Sequence, residues 1–352
     1  MAGLLAYCRP GFEADLAKEL GDKSAALGRY GFARTESGSG FVYFECYQAE
    51  DAQALYAALP LSQLIFARQL FVLISHLSDL DAADRIGPIL DACSDMPRCG
   101  DLRVEYPDTT EGRELSKFCR KFSVPLRQAL RKKGQLTPKE DNRKPVLFAF
   151  FTRSDRVYLG YAERNQCSPF ELGIMRLKTP AEAPSRSSLK LDEAIQLFLS
   201  PKEQEARMQA GMQAVDLGAC PGGWTYQLVR RGLFVQAVDN GAMADSLMET
   251  GQVRHFAEDG FKFRPKKKNV HWLVCDMVEQ PTRVAKLMSQ WLLEGLCKEA
   301  IFNLKLPMKR RYESVQEALA VIDEMLSPKA YLLQAKHLYH DREEITLHLR
   351  LL

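Results

Sequence analysis

From Pro180 to the last residue, short apolar runs alternate with helix-like stretches, and this alternation limits the fold more than any other feature. The runs are MQAVDLGA, FVQAVDN, VRHFAED, HWLVCDM, AIFNLKL, AYLLQAKH and EITLHLRLL. Strands interleaved with helices predict a doubly wound, mostly parallel α/β sheet, with the last strands open to an antiparallel arrangement. Such sheets bind ligands at the carboxyl ends of their strands.

A chain of 352 residues exceeds one ordinary core, so further domains are expected before this block. Residues 1–48 pair a helix-like EADLAKELGDK with a strand-like FVYFECY, the pattern of a small α+β unit. Residues 49–165 carry LIFARQLFVLISHL, DLRVEYPD and a basic helix. They end in two strands, Pro145 to Arg153 and Arg156 to Arg164, joined at Ser154-Asp155 by a hairpin-like turn. Residues 166–179 form a polar, proline-bearing connection, and 180–352 are the alternating block.

The net charge of +3 is unevenly spread. Lys117 to Lys144 holds ten Lys/Arg and two acidic residues, a local +8, so the remainder sums to −5. Runs of this kind are commonly solvated faces, and a concentrated patch is also the footprint of a phosphate-backbone partner. No run of ~18 apolar residues is present, so no membrane span is expected. The N-terminus lacks the basic region of a secretory signal. Nine scattered cysteines with no CxxC pair read as reduced thiols, which places the chain in the cytoplasm. Neither they nor the six histidines fall at zinc-ligand spacing, so no metal is expected.

The first run enters DLGACPGGWT, where Gly218, Gly222 and Gly223 leave the backbone open to a ligand. GACPGG is not GxGxxG, which argues against a dinucleotide. Asp216, Asp239, Asp259 and Asp276 each fall at or near the end of an apolar run. One such Asp is ordinarily a cap. Four around one glycine turn favour a nucleoside, with Asp239 where a carboxylate would meet ribose hydroxyls.

SRSSLKLDEA, DLGACPGGWT, AVDN, AEDG, WLVCDMVEQP and FNLKLPMK together resemble the S-adenosylmethionine-dependent methyltransferases of Rossmann-like fold. More narrowly they resemble the ribose 2′-O-methyltransferases that share a Lys-Asp-Lys-Glu set. The first two blocks resemble a ferredoxin-like module joined to a THUMP RNA-binding domain. The whole is similar to the bacterial enzymes that methylate a cytidine of 23S rRNA. The resemblance implies that Ser187, Cys220, Pro221, Gly222 and Gly223 line the methionine side of S-adenosylmethionine. It implies that Asp239 holds the ribose, Asp259 marks the adenine edge, and Asp276 sits beside the reacting atoms. Lys190, Asp276 and Lys305 match the catalytic set, and Glu344 or its neighbour Glu343 would be the fourth member. Arg120, Lys121, Arg127, Arg131, Lys132 and Lys133 are the residues expected to hold RNA phosphates. Free 23S rRNA and a ribosome assembly intermediate both stay open as substrate, and so do a monomer and a weak dimer.

A ribose hydroxyl attacks only once its proton is drawn away, and an ordinary Lys, of pKa ~10.4, is charged at neutral pH. Two lysines brought together would lower that value and free an amine, with Asp276 orienting them. Lys305 interrupts the apolar FNLKL where a strand should end, an unusual place for a surface charge. DMVEQP has neither the Asn nor the aromatic shelf of a base N-methyltransferase. Cys275 and Cys220 read as core and turn residues rather than as nucleophiles, and Trp224 as packing. The rivals that remain are a 2′-O-methyltransferase of another structured RNA, a non-catalytic RNA-binding or ribosome assembly factor on this scaffold, and a nicotinamide oxidoreductase.

Overall fold

The structure is a computed structural model and describes residues 2–352. It divides into two compact units, one running to Met175 and one spanning Arg176–Leu352. Among the described residues, each unit is built on one seven-stranded sheet.

In the first unit the strands are β1 (Gly3–Tyr7), β2 (Gly31–Thr35), β3 (Phe41–Cys46), β4 (Gln69–Leu77), β5 (Asp101–Glu105), β6 (Val146–Arg153) and β7 (Arg156–Ala162). The helices are α1 (Glu13–Ala26), α2 (Asp51–Ala58), α3 (Ile86–Ala92), α4 (Thr110–Glu114) and α5 (Ser116–Lys132). The sheet order is β2-β3-β1-β4-β7-β6-β5, antiparallel except for β5 beside β6. β6 and β7 form the hairpin expected at Ser154-Asp155. β4 pairs with β1 on one side and β7 on the other, so residues 1–48 and 49–165 share a single sheet. The first six residues of β6, VLFAFF, are all buried. A strand covered on both faces selects such an unbroken apolar run.

The second unit contains β8 (Gln213–Leu217), β9 (Phe234–Val238), β10 (Val253–Phe256), β11 (Val270–Cys275), β12 (Glu299–Lys305), β13 (Tyr331–Lys336) and β14 (Glu344–Leu351). Its helices are α6 (Ser188–Phe198), α7 (Pro201–Arg207), α8 (Gly223–Val229), α9 (Asp245–Met248), α10 (Pro281–Leu293) and α11 (Arg311–Leu326). The order β10-β9-β8-β11-β12-β14-β13 is parallel from β10 to β12. β14 runs antiparallel to both β12 and β13 and lies between them. The chain order reverses beside β8, whose neighbours β9 and β11 lead outward in opposite directions, and the crevice above such a reversal is where doubly wound sheets bind ligands. Leu191 of α6, Trp224 of α8, Trp272 of β11 and Ile301 of β12 meet in one buried cluster. Trp224 and Cys275 are therefore core residues, and burial pushes the Cys275 thiol up to about 12.

Candidate active site

The turn after β8 is crowded on all sides. Gly218 adopts φ 76°, and a Cβ there would lie 2.7 Å from Met277 Cγ, just past β11. A Cβ on Gly223 would lie 2.2 Å from Ser187 Oγ. Glycine is thus required at both positions for the segments following β8 and β11, and the segment before α6, to come this close. Beneath the turn, Asp216 accepts the Thr225 hydroxyl at 2.7 Å through Oδ2. Its Oδ1 is buried without a hydrogen-bond partner. Burial pushes this carboxyl up to about 7, with the Thr225 bond opposing and the charge of Asp276 adding to the rise.

Asp239 ends the neighbouring strand, and the turn itself aims its carboxylate. Its Oδ2 accepts from Cys220 N at 3.0 Å and its Oδ1 from Gly241 N at 2.8 Å. Each oxygen keeps lone-pair capacity for a diol. Cys220 and Pro221 are exposed, while Gly222 and Gly223 are buried. Asp259 is exposed three residues beyond β10 and accepts from Phe261 N at 2.8 Å, so within the chain it caps a turn.

Lys190, Asp276, Lys305 and Glu344 converge as a four-cornered cluster in which the charges alternate. Lys190 Nζ lies 2.6 Å from Glu344 Oε1 and 3.4 Å from Asp276 Oδ2. Lys305 Nζ bonds Asp276 Oδ1 and lies 3.4 Å from Glu344 Oε2. All four side chains are mostly buried. Register produces half of this arrangement: antiparallel pairing sets Lys305 opposite Glu344. Glu343 instead pairs with Arg311 at 2.7 Å.

The expectation that one lysine lowers the pKa of the other does not hold at Lys190. Burial opposes the Lys190 ammonium, but Asp276 and then Glu344 outweigh it and hold Lys190 above its ordinary value. Burial likewise opposes the Glu344 carboxylate, but Lys305 and Lys190 hold it below the usual range. Two carboxylates set between two cations dominate the repulsion between the cations.

Three polar residues that sequence reasoning did not single out support the cluster. Asn303 Nδ2 donates to Asp276 Oδ1 at 3.0 Å, Thr346 Oγ1 lies 2.7 Å from Asn303 Oδ1, and Asp341 adjoins Thr346. A signal was present: Asn303 and Lys305 are two apart in β12, as are Glu344 and Thr346 in β14. This spacing puts each pair on one face of its strand.

In the first unit, Arg120, Lys121, Arg131, Lys132 and Lys133 are exposed on or just after α5. Cys119, Leu126 and Leu130 bury the opposite face of that helix. Phe118 and Phe122 stack at 5.3 Å and meet Phe151 of β6 edge-on. Arg127 differs from its neighbours. It is half-buried, bonded to Asp101 Oδ1 at 2.9 Å and to Leu102 O at 2.7 Å, so it ties α5 to β5. A cleft of about 740 Å³ lies beside it, lined by Lys117, Arg120 and Arg127 with Arg103 and Arg164. Among the described residues no cluster of His, Cys, Asp and Glu suited to a metal occurs, and no helix is long and apolar enough to cross a membrane.

Comparison with known proteins agrees with this architecture. Residues 1–71 match the family described as RlmM ferredoxin-like domain. Residues 84–163 match ribosomal RNA large subunit methyltransferase M, N-terminal, and residues 183–340 match FtsJ-like methyltransferase. A protein named ribosomal RNA large subunit methyltransferase M from Pseudoalteromonas atlantica is 60% identical over 354 residues, covering 100% of this chain and 99% of that protein. Proteins of the same name from Tolumonas auensis and Psychromonas ingrahamii are 58% and 56% identical. Those alignments cover 99% and 100% of this chain and 96% and 97% of the relatives. The chain belongs to the ribosomal RNA large subunit methyltransferase M family.

Proposed function

We propose that this chain transfers a methyl group from S-adenosylmethionine to the ribose 2′-hydroxyl of a cytidine in 23S rRNA, with Lys305 as the base. The observation that carries this reading is the cluster of Lys190, Asp276, Lys305 and Glu344 at the carboxyl ends of β11 and β12. The residues around the turn fit the cofactor: a close-packed glycine backbone, an oriented Asp239 for a diol, and the unpartnered Oδ1 of Asp216 at its base. Ser187, Cys220, Pro221, Gly222 and Gly223 would hold its methionine portion, and Asp259 its adenine edge.

When bound, the cofactor supplies a sulfonium methyl already activated for transfer. The chain's own residues must orient the ribose and take up its proton. Lys190, closest to Glu344, stays charged and fixes that carboxylate. Lys305, which closes β12 beside Asp276, is the amine assigned to take up the proton. Loss of water on substrate binding, with a further positive charge beside the cluster, favours its neutral amine. The neutral amine then accepts the 2′-hydroxyl proton while Asp276 holds Nζ in place. Incubation with S-adenosylmethionine and 23S rRNA, followed by mapping of 2′-O-methyl groups, is expected to reveal one added cytidine position. RNA bound tightly but never methylated would overturn the reading.

Two further outcomes test the binding surfaces. Cys220 is exposed, while the other eight cysteines are buried, where burial pushes their thiols up. A thiol reagent is expected to label Cys220 first. S-adenosylmethionine is expected to slow that labelling, and an unchanged rate at saturation would remove Cys220 from the cofactor site. Arg120, Lys121, Arg131, Lys132 and Lys133 would contact phosphates, and Arg127 would brace them. Reversing the charge of Lys121, Lys132 and Lys133 should flatten the salt dependence of RNA binding by about one unit of slope per lost contact. An unaltered slope would mean that α5 is only a solvated face.

A further inference from the structure

β12 and β14 place Asn303 opposite Thr346, two rungs along the ladder from Lys305 opposite Glu344. Asn303, Thr346 and Asp341 are each 0% exposed. The hydrogens on this buried path can be assigned by counting donors. Asp276 pairs with two lysines and is acceptor-only, so the side of Asn303 facing it at 3.0 Å must be the amide nitrogen. The amide oxygen then faces Thr346 Oγ1 at 2.7 Å, and an amide oxygen only accepts. Thr346 must therefore donate its single hydroxyl hydrogen to Asn303. Both oxygens of Asp341 also lie within reach of Thr346 Oγ1, at 3.1 and 2.9 Å. A charged carboxylate there would set acceptor against acceptor. The path closes only when Asp341 carries a proton and donates it to Thr346.

We propose that Asp341, held as a neutral acid, donates to Thr346, which donates to Asn303, which donates to Asp276, and that this one-way chain positions Asp276 and thereby Lys305. The three are positioning residues, since none needs to touch substrate. The surroundings of Asp341 agree. Full burial comes first, followed by the negative charges of Glu344 and Glu193, and together they push its carboxyl well up. The Leu338 N–H and the Lys190 ammonium oppose them. The Leu338 N–H bonds Asp341 Oδ2 at 3.0 Å. Glu193 is itself occupied, accepting from Tyr339 N and His340 N at 3.0 Å and meeting His340 Nδ1 at 2.6 Å.

This inference rests on the proposed 2′-O-methylation, and its test separates the two. Thr346→Val keeps the shape and breaks the chain. Its kcat for methyl transfer should fall by roughly 10- to 100-fold with the KM for S-adenosylmethionine unchanged, the scale of a misplaced catalytic group. Thr346→Ser should restore the rate. Asp341→Asn supplies a neutral donor with an acceptor for Leu338 N–H and should stay near the wild-type rate, whereas Asp341→Leu should behave like Thr346→Val. Infrared spectroscopy of the free protein, read without any substrate, should show a protonated-carboxyl stretch that Asp341→Asn removes. A wild-type protein with that band and no methyl transfer would sink the function and leave the chain of donors standing. A folded Thr346→Val protein with the normal rate, a missing band, or Asp341→Asn as damaging as Asp341→Leu would overturn the inference.

Discussion

Lys305→Ala is expected to lower methyl transfer by about 10²- to 10⁴-fold, the range that a positioned general base supplies, while leaving affinity for S-adenosylmethionine nearly intact. The reasoning is spatial. Lys305 closes β12 and touches Asp276 and Glu344, whereas the proposed cofactor contacts lie mainly on the turns after β8, β9 and β10 and just before α6. Lys305→Arg should be nearly as inactive, because a guanidinium keeps the charge but does not release a proton near neutral pH. Single-turnover transfer of labelled methyl, beside calorimetric titration of the cofactor, measures both quantities. Normal turnover in either variant would remove Lys305 from the role of base.

Asp276→Ala should be as damaging to the reaction and also costly to the fold. It removes the acceptor shared by Lys190, Lys305 and Asn303 and leaves two buried cations facing Glu344 alone. Breaking a fully buried pair costs about 3–5 kcal/mol, and this cluster retains some contact with water, so a loss of about 1–3 kcal/mol is expected. In a unit of this size that lowers the unfolding midpoint by several degrees, at ~2–4 °C per kcal/mol. The Lys190 ammonium should also lose its elevated pKa, because Asp276 is the strongest influence raising it against burial. Asp276→Asn keeps the shape and should recover stability ahead of activity. Activity lost in Asp276→Ala with no change in midpoint would mean that the cluster holds its lysines without Asp276.

The alternating half of the chain was legible because each strand has its own apolar run and each run ends where the sheet needs a turn. DLGACPGG and AVDN marked, for the same local reason, two strand ends that the structure brings together. Pairing across distance was not legible. Nothing local places β14 between β12 and β13, and that insertion brings Glu344 to Lys305 and Thr346 to Asn303. Lys190 reaches Asp276 across 86 positions, so its environment belongs to the tertiary structure. This is why proximity of two lysines suggested a lowered pKa while the intervening carboxylates raise that of Lys190. In the first unit, charge alone could not separate Arg127 from its exposed neighbours, because its partners Asp101 and Leu102 come from β5.

The placement of β14 also bears on how the enzyme is made. β13 leaves the ribosome first yet lies outside β14, so it has no strand to join until β14 has emerged and paired with β12. Pairing between distant segments is the slow part of such folds. A nascent chain ending before residue 344 would already carry the glycine turn, Asp239, Lys190, Asp276 and Lys305, and would still lack Glu344 and Thr346. On the proposed roles, the residues assigned to the cofactor are all made before the last members of the catalytic cluster.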